Sequence, residues 1–252
     1  DDEHSLTLSC DGISYYFDKR TGFLQKVLYG KKWLSLHGGP ALAGSALQTL
    51  KNFKRARQGN QYIIEPSYQG DSLQVKWIFQ PGKLPKLEYS YKTKDTADFM
   101  GITFQYPEEK ITGMKWMGRG PYRVWKNRLK GQQFGVWEKS YNNTVTGENW
   151  NYPEFKGWHS ELYWVKLQNK EHDFTVYTDQ PMYLQMLQPE KPQAAANNNT
   201  SPPWPEGNIG FMHAISAIGT KFQPAEVMGP ESEKNVRNGN TLLTGTLYFD
   251  FR

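Results

Sequence analysis

Apolar side chains recur at every second position through most of this chain, and that period of two limits its fold more than any other feature. Leu87, Tyr89 and Tyr91 alternate with Glu88, Ser90 and Lys92, and Leu73, Val75 and Trp77 alternate with Gln74 and Lys76. Near the end, Leu243, Leu247, Phe249 and Phe251 fall on one parity and Thr244, Thr246 and Asp250 on the other. Successive side chains of a strand point to opposite faces, so this alternation marks strands buried on one side. Leu6 to Cys10, Ile102 to Tyr106, Tyr183 to Leu187 and Phe211 to Ile218 read the same way. Glu161 to Leu167 and Phe174 to Thr178 read as a strand pair joined by residues 168–173. Asp18-Lys19-Arg20-Thr21-Gly22 reads as a hairpin loop with Gly22 in a left-handed conformation.

One segment breaks the pattern. Ser45 to Arg57 reads as a short helix capped by Ser45, with Leu47, Leu50 and Phe53 on one face, or else as a long loop. A dozen or more strands with almost no helix predict an all-β chain folded as one large antiparallel sandwich. The domain is expected to span 1–252, with 189–208 as a Pro- and Asn-rich surface loop.

Charge and motifs exclude several classes. The net charge is +5, but the basic residues are interspersed with acidic ones. The densest cluster, Lys51, Lys54, Arg55 and Arg57, suits a solvated face better than a nucleic-acid footprint. No run approaches the roughly 18 apolar residues of a membrane span, so neither nucleic acid nor membrane is expected as a partner. The lone Cys10 has no internal partner for a disulfide. Histidines are scattered at 4, 37, 159, 172 and 213, and phosphate-binding and zinc spacings are absent, so no metal and no cofactor are expected. The chain opens on Asp1-Asp2-Glu3 without Met, which suggests a matured protein or a piece of a longer one. In a polysaccharide-degrading bacterium its place would be the periplasm or the exterior.

The aromatic content is high, with 9 Trp, 15 Tyr and 13 Phe. Such residues fill β cores and also stack on the C–H faces of sugars. Trp150, Trp158 and Trp164 are the first stacking candidates. His159 and Glu161, two apart on a strand, should share a face and form an acid–base pair. His213, beside Phe211 and Ile215, is the other titratable candidate. Trp150, Trp158, His159, Glu161, Trp164 and His213 thus make up the candidate carbohydrate site. No carboxylate pair suited to glycoside hydrolysis stands out, so no catalytic residue is assigned.

The most shaped stretch is Trp116-Met117-Gly118-Arg119-Gly120-Pro121-Tyr122-Arg123-Val124-Trp125-Lys126-Asn127-Arg128, read as a loop between strands. It resembles the G-x-G-P-x-x-x-Y-x-D-R signature of the C-terminal small-chain domain of β-galactosidases in glycoside hydrolase family 2. Phe17-Asp18-Lys19-Arg20-Thr21-Gly22-Phe23-Leu24 is similar to the F-D-K-x-T-G-x-L that opens that domain. Tyr152-Pro153-Glu154-Phe155-Lys156-Gly157 is similar to its P-x-E-N-G segment, and Gly210-Phe211-Met212-His213 and Tyr248-Phe249-Asp250-Phe251 to its closing strands.

The resemblance implies a galactose-mutarotase-like β-supersandwich that supports a catalytic barrel elsewhere in the same longer polypeptide and has carbohydrate as a further partner. It implies that Arg119, Trp125 and Arg128 brace the domain or dock it on that barrel. Trp125 and Asn127 replace the signature's Tyr and Asp. The loop that lends a Trp to the active site in family members is Asn169-Lys170-Glu171-His172-Asp173 here, without an aromatic. Two other readings remain open, a stand-alone carbohydrate-binding module and an aldose-epimerase-like enzyme that would use His159, Glu161 and His213.

Overall fold

The computed structural model describes residues 2–44, 48–92, 96–141, 157–186, 205, 207–220, 222–239 and 241–252. The first strands are β1 (Ser5–Cys10), β2 (Ile13–Asp18), β3 (Leu24–Tyr29), β4 (Lys32–Leu34), β5 (His37–Leu42) and β6 (Leu50–Gln58). Next come β7 (Gln61–Tyr68), β8 (Leu73–Phe79), β9 (Lys86–Lys92), β10 (Thr96–Ala97), β11 (Met100–Gln105) and β12 (Ile111–Gly120). The last are β13 (Gln133–Ser140), β14 (His159–Asn169), β15 (Phe174–Met186), β16 (Ile209–Ala214), β17 (Asn235–Val236) and β18 (Leu242–Asp250). All but β10 and β17, which pair with each other, belong to one antiparallel sheet.

That sheet forks at β15. One edge of β15 pairs with β14 along most of its length. The other edge is shared: Thr175 to Thr178 pair with β18, and Tyr183 to Met186 pair with β16. Pro181 lies between the two halves and has no N–H to give a ladder. Side chains take over there, with Asp179 Oδ1 accepting from Thr246 N at 3.0 Å and Gln180 Nε2 donating to Thr244 O at 2.6 Å. From the fork one leaf runs β18-β9-β8-β7-β6 and the other β16-β11-β5-β3-β2-β1.

The leaves curl until their inner faces meet. Phe17 on β2 packs edge-on to Trp77 on β8 with ring centroids 5.8 Å apart, and Tyr15 lies 4.6 Å from Phe79. Phe249 on β18 bridges them, 5.3 Å from Trp77 and 5.8 Å from Phe104 on β11. These rings are the buried parity of the alternating strands and contribute apolar area, and the Phe17–Trp77 and Phe104–Phe249 pairs add favourable edge-to-face geometry. The aromatic content is thus largely a core property.

The hairpin at Gly22 is as expected, with φ of 76°. The segment expected as helix or long loop is instead the edge strand β6, paired with β7, while residues 45–47 lie outside the described residues. The helical spacing of Leu50 and Phe53 has a different cause. A register shift between Leu50 and Asn52 inverts the parity, so both side chains pack on the core from a strand. Lys51, Lys54, Arg55 and Arg57 then line a sheet edge, where charge discourages pairing with another chain. Most of 189–208 lies outside the described residues. At its end Asn208 brackets the main chain of Tyr106, accepting from its N at 2.7 Å and donating to its O.

The β14–β15 turn is fastened to the second leaf by Glu171. Its carboxylate accepts from Ser35 N at 2.8 Å, Ser35 Oγ at 2.7 Å, Tyr106 Oη at 2.8 Å and Lys110 Nζ at 2.6 Å. Burial pushes its acidity toward the neutral form, but the Lys110 charge and the Ser35 and Tyr106 donors outweigh that and hold Glu171 below the usual carboxylate range. A depressed folded value contributes stability above the unfolded pKa of about 4.3, lost as pH falls through the folded one. Glu171→Gln should therefore lower stability at pH 7 and flatten the acid limb of a denaturation midpoint-versus-pH curve. An acid limb identical to the parent would contradict this.

Candidate functional site

The Trp116–Arg128 stretch is only half a loop. Trp116 to Gly120 complete β12, and the chain then turns through Pro121 into a strap, residues 124–128. Its two glycines have distinct steric reasons. A Cβ on Gly118 would lie 2.9 Å from Glu161 O and 3.0 Å from Ser160 O, and one on Gly120 would lie 2.7 Å from the Trp137 ring. The first glycine admits a bulge of β14 and the second seats Trp137.

The strap is zipped to two other segments. Val124 and Trp158 exchange main-chain hydrogen bonds of 2.8 and 2.9 Å. Gly157 permits this approach, since a Cβ there would lie 2.6 Å from Val124 O. Lys126 N donates to Ser216 O at 2.9 Å, and Arg128 Nη2 donates to Gly219 O at 3.0 Å. Asn127 makes the tightest clasp: Oδ1 accepts from Ile218 N at 3.1 Å, while Nδ2 donates to Ile218 O at 2.9 Å and Ser232 Oγ at 2.8 Å. The fixed polarity of Ile218 N and O sets the amide orientation. Trp125 is 2% exposed, in a satellite core with Val124, Trp158, Met212, Ile215 and Ile218. Trp125 and Arg128 are therefore bound into the domain itself.

His159 and Glu161 do not form the expected pair. Register shifts between His159, Leu162 and Trp164 bulge β14, and Glu161 takes a left-handed φ of 49°. The bulge turns Glu161 to solvent, where it pairs with Arg119 at 2.6 Å, and leaves His159 fully buried. Arg119 and Glu161 are both well exposed, so the pair adds little stability.

His159 lies in unusual company. Its ring is 4.6 Å from that of Trp116, and neither ring nitrogen has a hydrogen-bond partner. Lys139 shares the inward parity of β13 with Trp137, opposite Met114 and Trp116 of β12. Burial drives His159 well below its ordinary pKa, and Arg123 and then Lys139 add to the effect. Burial pulls Lys139 down to about 8, and Arg123 again contributes. Arg123 is itself lowered by burial. Sequence reading passed over this cluster, although Lys139 falls on the same parity as Trp137.

The other candidates are dispersed. Trp150 lies outside the described residues. Trp158 is fully buried and offers no face to solvent. Trp164 is half-buried in a row with Met117 and Tyr177, close to the exposed Phe134, Val136 and Tyr163. His213 accepts at Nδ1 from Tyr91 Oη at 2.8 Å and donates from Nε2 to Thr244 O at 3.0 Å. Burial keeps it neutral, below its ordinary pKa. It is a satisfied histidine of the fork. Among the described residues no group of His, Cys, Asp and Glu suits a metal ion, and no helix is long and apolar enough to cross a membrane.

The clasp predicts that Asn127→Asp, which restores the signature's residue, loses the donor to Ile218 O and Ser232 Oγ. It should cost about 2 kcal/mol, read as a lower urea midpoint, and an unchanged midpoint would contradict the clasp. The buried imidazole predicts an acid sensitivity. With its folded pKa depressed, His159 contributes stability above the unfolded value of about 6.5 that is lost as pH falls below it. His159→Phe, which keeps the contact with Trp116, should reduce the slope of stability against pH between about 6.5 and 5. An unaltered slope would mean that His159 does not titrate on unfolding.

Comparison with known proteins places this geometry. The beta galactosidase small chain family matches residues 45–201, more than half of the chain. No curated protein matches. Among solved structures, galactose 1-epimerase from Lactobacillus acidophilus NCFM is similar, with 11% identity, a TM-score of 0.50, and coverage of 98% of this chain and 94% of that one. A galactose mutarotase-like protein from Lactobacillus casei ATCC 334 matches at 8% identity and TM-score 0.41, covering 98% and 99%. At such identity the epimerase likeness shows the fold alone, a galactose-mutarotase-like curled sheet. The family match, over a segment that holds the strap and the bulge, shows that the chain belongs to the beta galactosidase small chain family.

Proposed function

We propose that the chain is the non-catalytic C-terminal domain of a β-galactosidase-like family 2 glycoside hydrolase, supporting the catalytic barrel of its own polypeptide and binding carbohydrate. Membership of the small-chain family is the observation that carries this reading. The use of the signature residues agrees with it, because Trp125, Asn127 and Arg128 are engaged in holding the strap. Glu161 pairs with Arg119, and Glu171, at the β14–β15 turn on the other end of the ladder, is held by Ser35, Tyr106 and Lys110. Neither has a second carboxylate assigned across a cleft, as glycoside hydrolysis needs. Arg119 and Trp164 remain the candidates within reach of a barrel or a glycan on the outer face.

An epimerase reading needs an acid and a base across a sugar ring. His159 is buried without a partner, Glu161 faces solvent, and His213 is fixed between Tyr91 and Thr244. The purified chain should release no nitrophenol from nitrophenyl β-galactoside and should leave galactose mutarotation, followed by polarimetry, at the buffer rate. Turnover in the first assay or acceleration in the second would overturn the proposal.

A further inference from the structure

We propose that the cleft between the two leaves, at the β10–β17 ladder, binds a neutral pyranose, as a mono- or disaccharide, with Phe99 against the ring and Asp98 and Lys234 on its hydroxyls. The inference rests on the carbohydrate-binding part of the proposed function and gives that part a site and a class of sugar.

The first support is the cavity itself. One leaf lines it with Ser72, just before β8, and with Tyr91 and Lys92 at the end of β9, while the other leaf lines it with Leu42 of β5 and Met100 of β11. Its volume of about 430 Å³ falls in the range of about 300–1,000 Å³ usual for small-molecule sites. Leu42, Phe99 and Met100 give an apolar lining, and Ser72, Asp98 and Lys234 give a few polar groups, which is the common make-up of such sites. The second support is how its rim is built. The β10–β17 ladder stands outside the main sheet, pairing Thr96 with Val236 and Ala97 with Asn235. Asn235 Nδ2 donates to Asp98 O at 2.7 Å and to Ile215 O at 2.8 Å, which ties the ladder to the chain leaving β16.

The ladder holds an ion pair at the cavity. Asp98 Oδ2 and Lys234 Nζ are 3.6 Å apart, and both residues line it. That separation is too long for a good hydrogen bond, so the carboxylate is able to accept from one hydroxyl and the ammonium to donate to the next. An anion would meet the Asp98 carboxylate, which selects against it and in favour of a neutral polyol. The pair is partly exposed and adds little stability of its own, so the fold does not require it. Phe99 supplies the aromatic surface that suits the C–H face of a pyranose. Its ring packs on the satellite core, 6.3 Å from that of Trp158. Gly44, at a φ of 68°, leaves that ring its room, since a Cβ there would lie 2.7 Å from Phe99 Cε2. The strap that pins Trp158 at Val124 thus also seats the ring offered to the sugar.

The test is titration of the isotope-labelled chain with galactose, glucose and lactose, followed by amide chemical shifts, with galacturonate as the anionic control and sorbitol as the acyclic one. The amides of Ser72, Asp98, Phe99 and Lys234 should shift together with at least one neutral pyranose. Asp98→Ala should weaken that binding at least about tenfold, as should Phe99→Leu, which keeps apolar bulk but removes the ring. Asp98→Ala should melt with the parent, because Asn235 bonds the main chain at position 98 and the ion pair is exposed. Undiminished binding in a folded Asp98→Ala, or galacturonate bound more tightly than galactose, overturns the inference. An equal response to sorbitol overturns the pyranose assignment. Shifts at Arg119 and Trp164 in place of those at the cavity would leave the carbohydrate reading standing and sink this site. No shift with any sugar overturns both the inference and the carbohydrate-binding part of the proposed function, and leaves its barrel-supporting part untouched.

Discussion

Strand β15 has two edges and three neighbours, and the fold follows from how that conflict is met. β14 occupies one edge, and β18 and β16 divide the other on either side of Pro181. Where the ladder lapses, Asp179 and Gln180 supply hydrogen bonds from their side chains to the main chain of β18. His213 adds another to Thr244 O. Without this handover the two leaves would not diverge, and Phe17 and Tyr15 would not come to lie on Trp77 and Phe79. A buried main chain must be satisfied wherever a strand changes partner, so these polar residues are as much part of the core's design as the rings.

The strap stands on the same logic one step further out. Gly118 lets β14 bulge toward β12, and the bulge separates His159 from Glu161. Gly157 lets Trp158 dock on Val124, and Asn127 fixes Ile218 and Ser232 to the far side. The family's signature is therefore read as packing and hydrogen bonding. An amide at 127 both donates and accepts there, whereas a carboxylate only accepts.

Much of this was legible from residue order. Period-two alternation located the core parity of β8, β9 and β18, and the signature located the family. Bulges were not legible, because one extra residue inverts parity without a compositional mark. That is why Leu50 and Phe53 looked helical, and why His159 and Glu161 looked like a pair. Phe174 to Thr178 and Tyr183 to Leu187 read as two strands because Pro181 breaks the pattern, yet the chain runs through it as one strand with two partners. The contact of His159 with Trp116 was not legible either, because the two come from strands 43 residues apart in sequence that only the fold brings together.

The central claim is that the signature strap is an integral brace of the sandwich. Native-state hydrogen exchange tests it most directly, at the amides of Val124, Trp158 and Ile218, all hydrogen-bonded across the clasp. The account predicts that they exchange only through global unfolding, with the same opening free energy as Val176 in the β15 ladder. Exchange through a local opening several kcal/mol below that of Val176 would contradict it, and would make the strap a separable appendage.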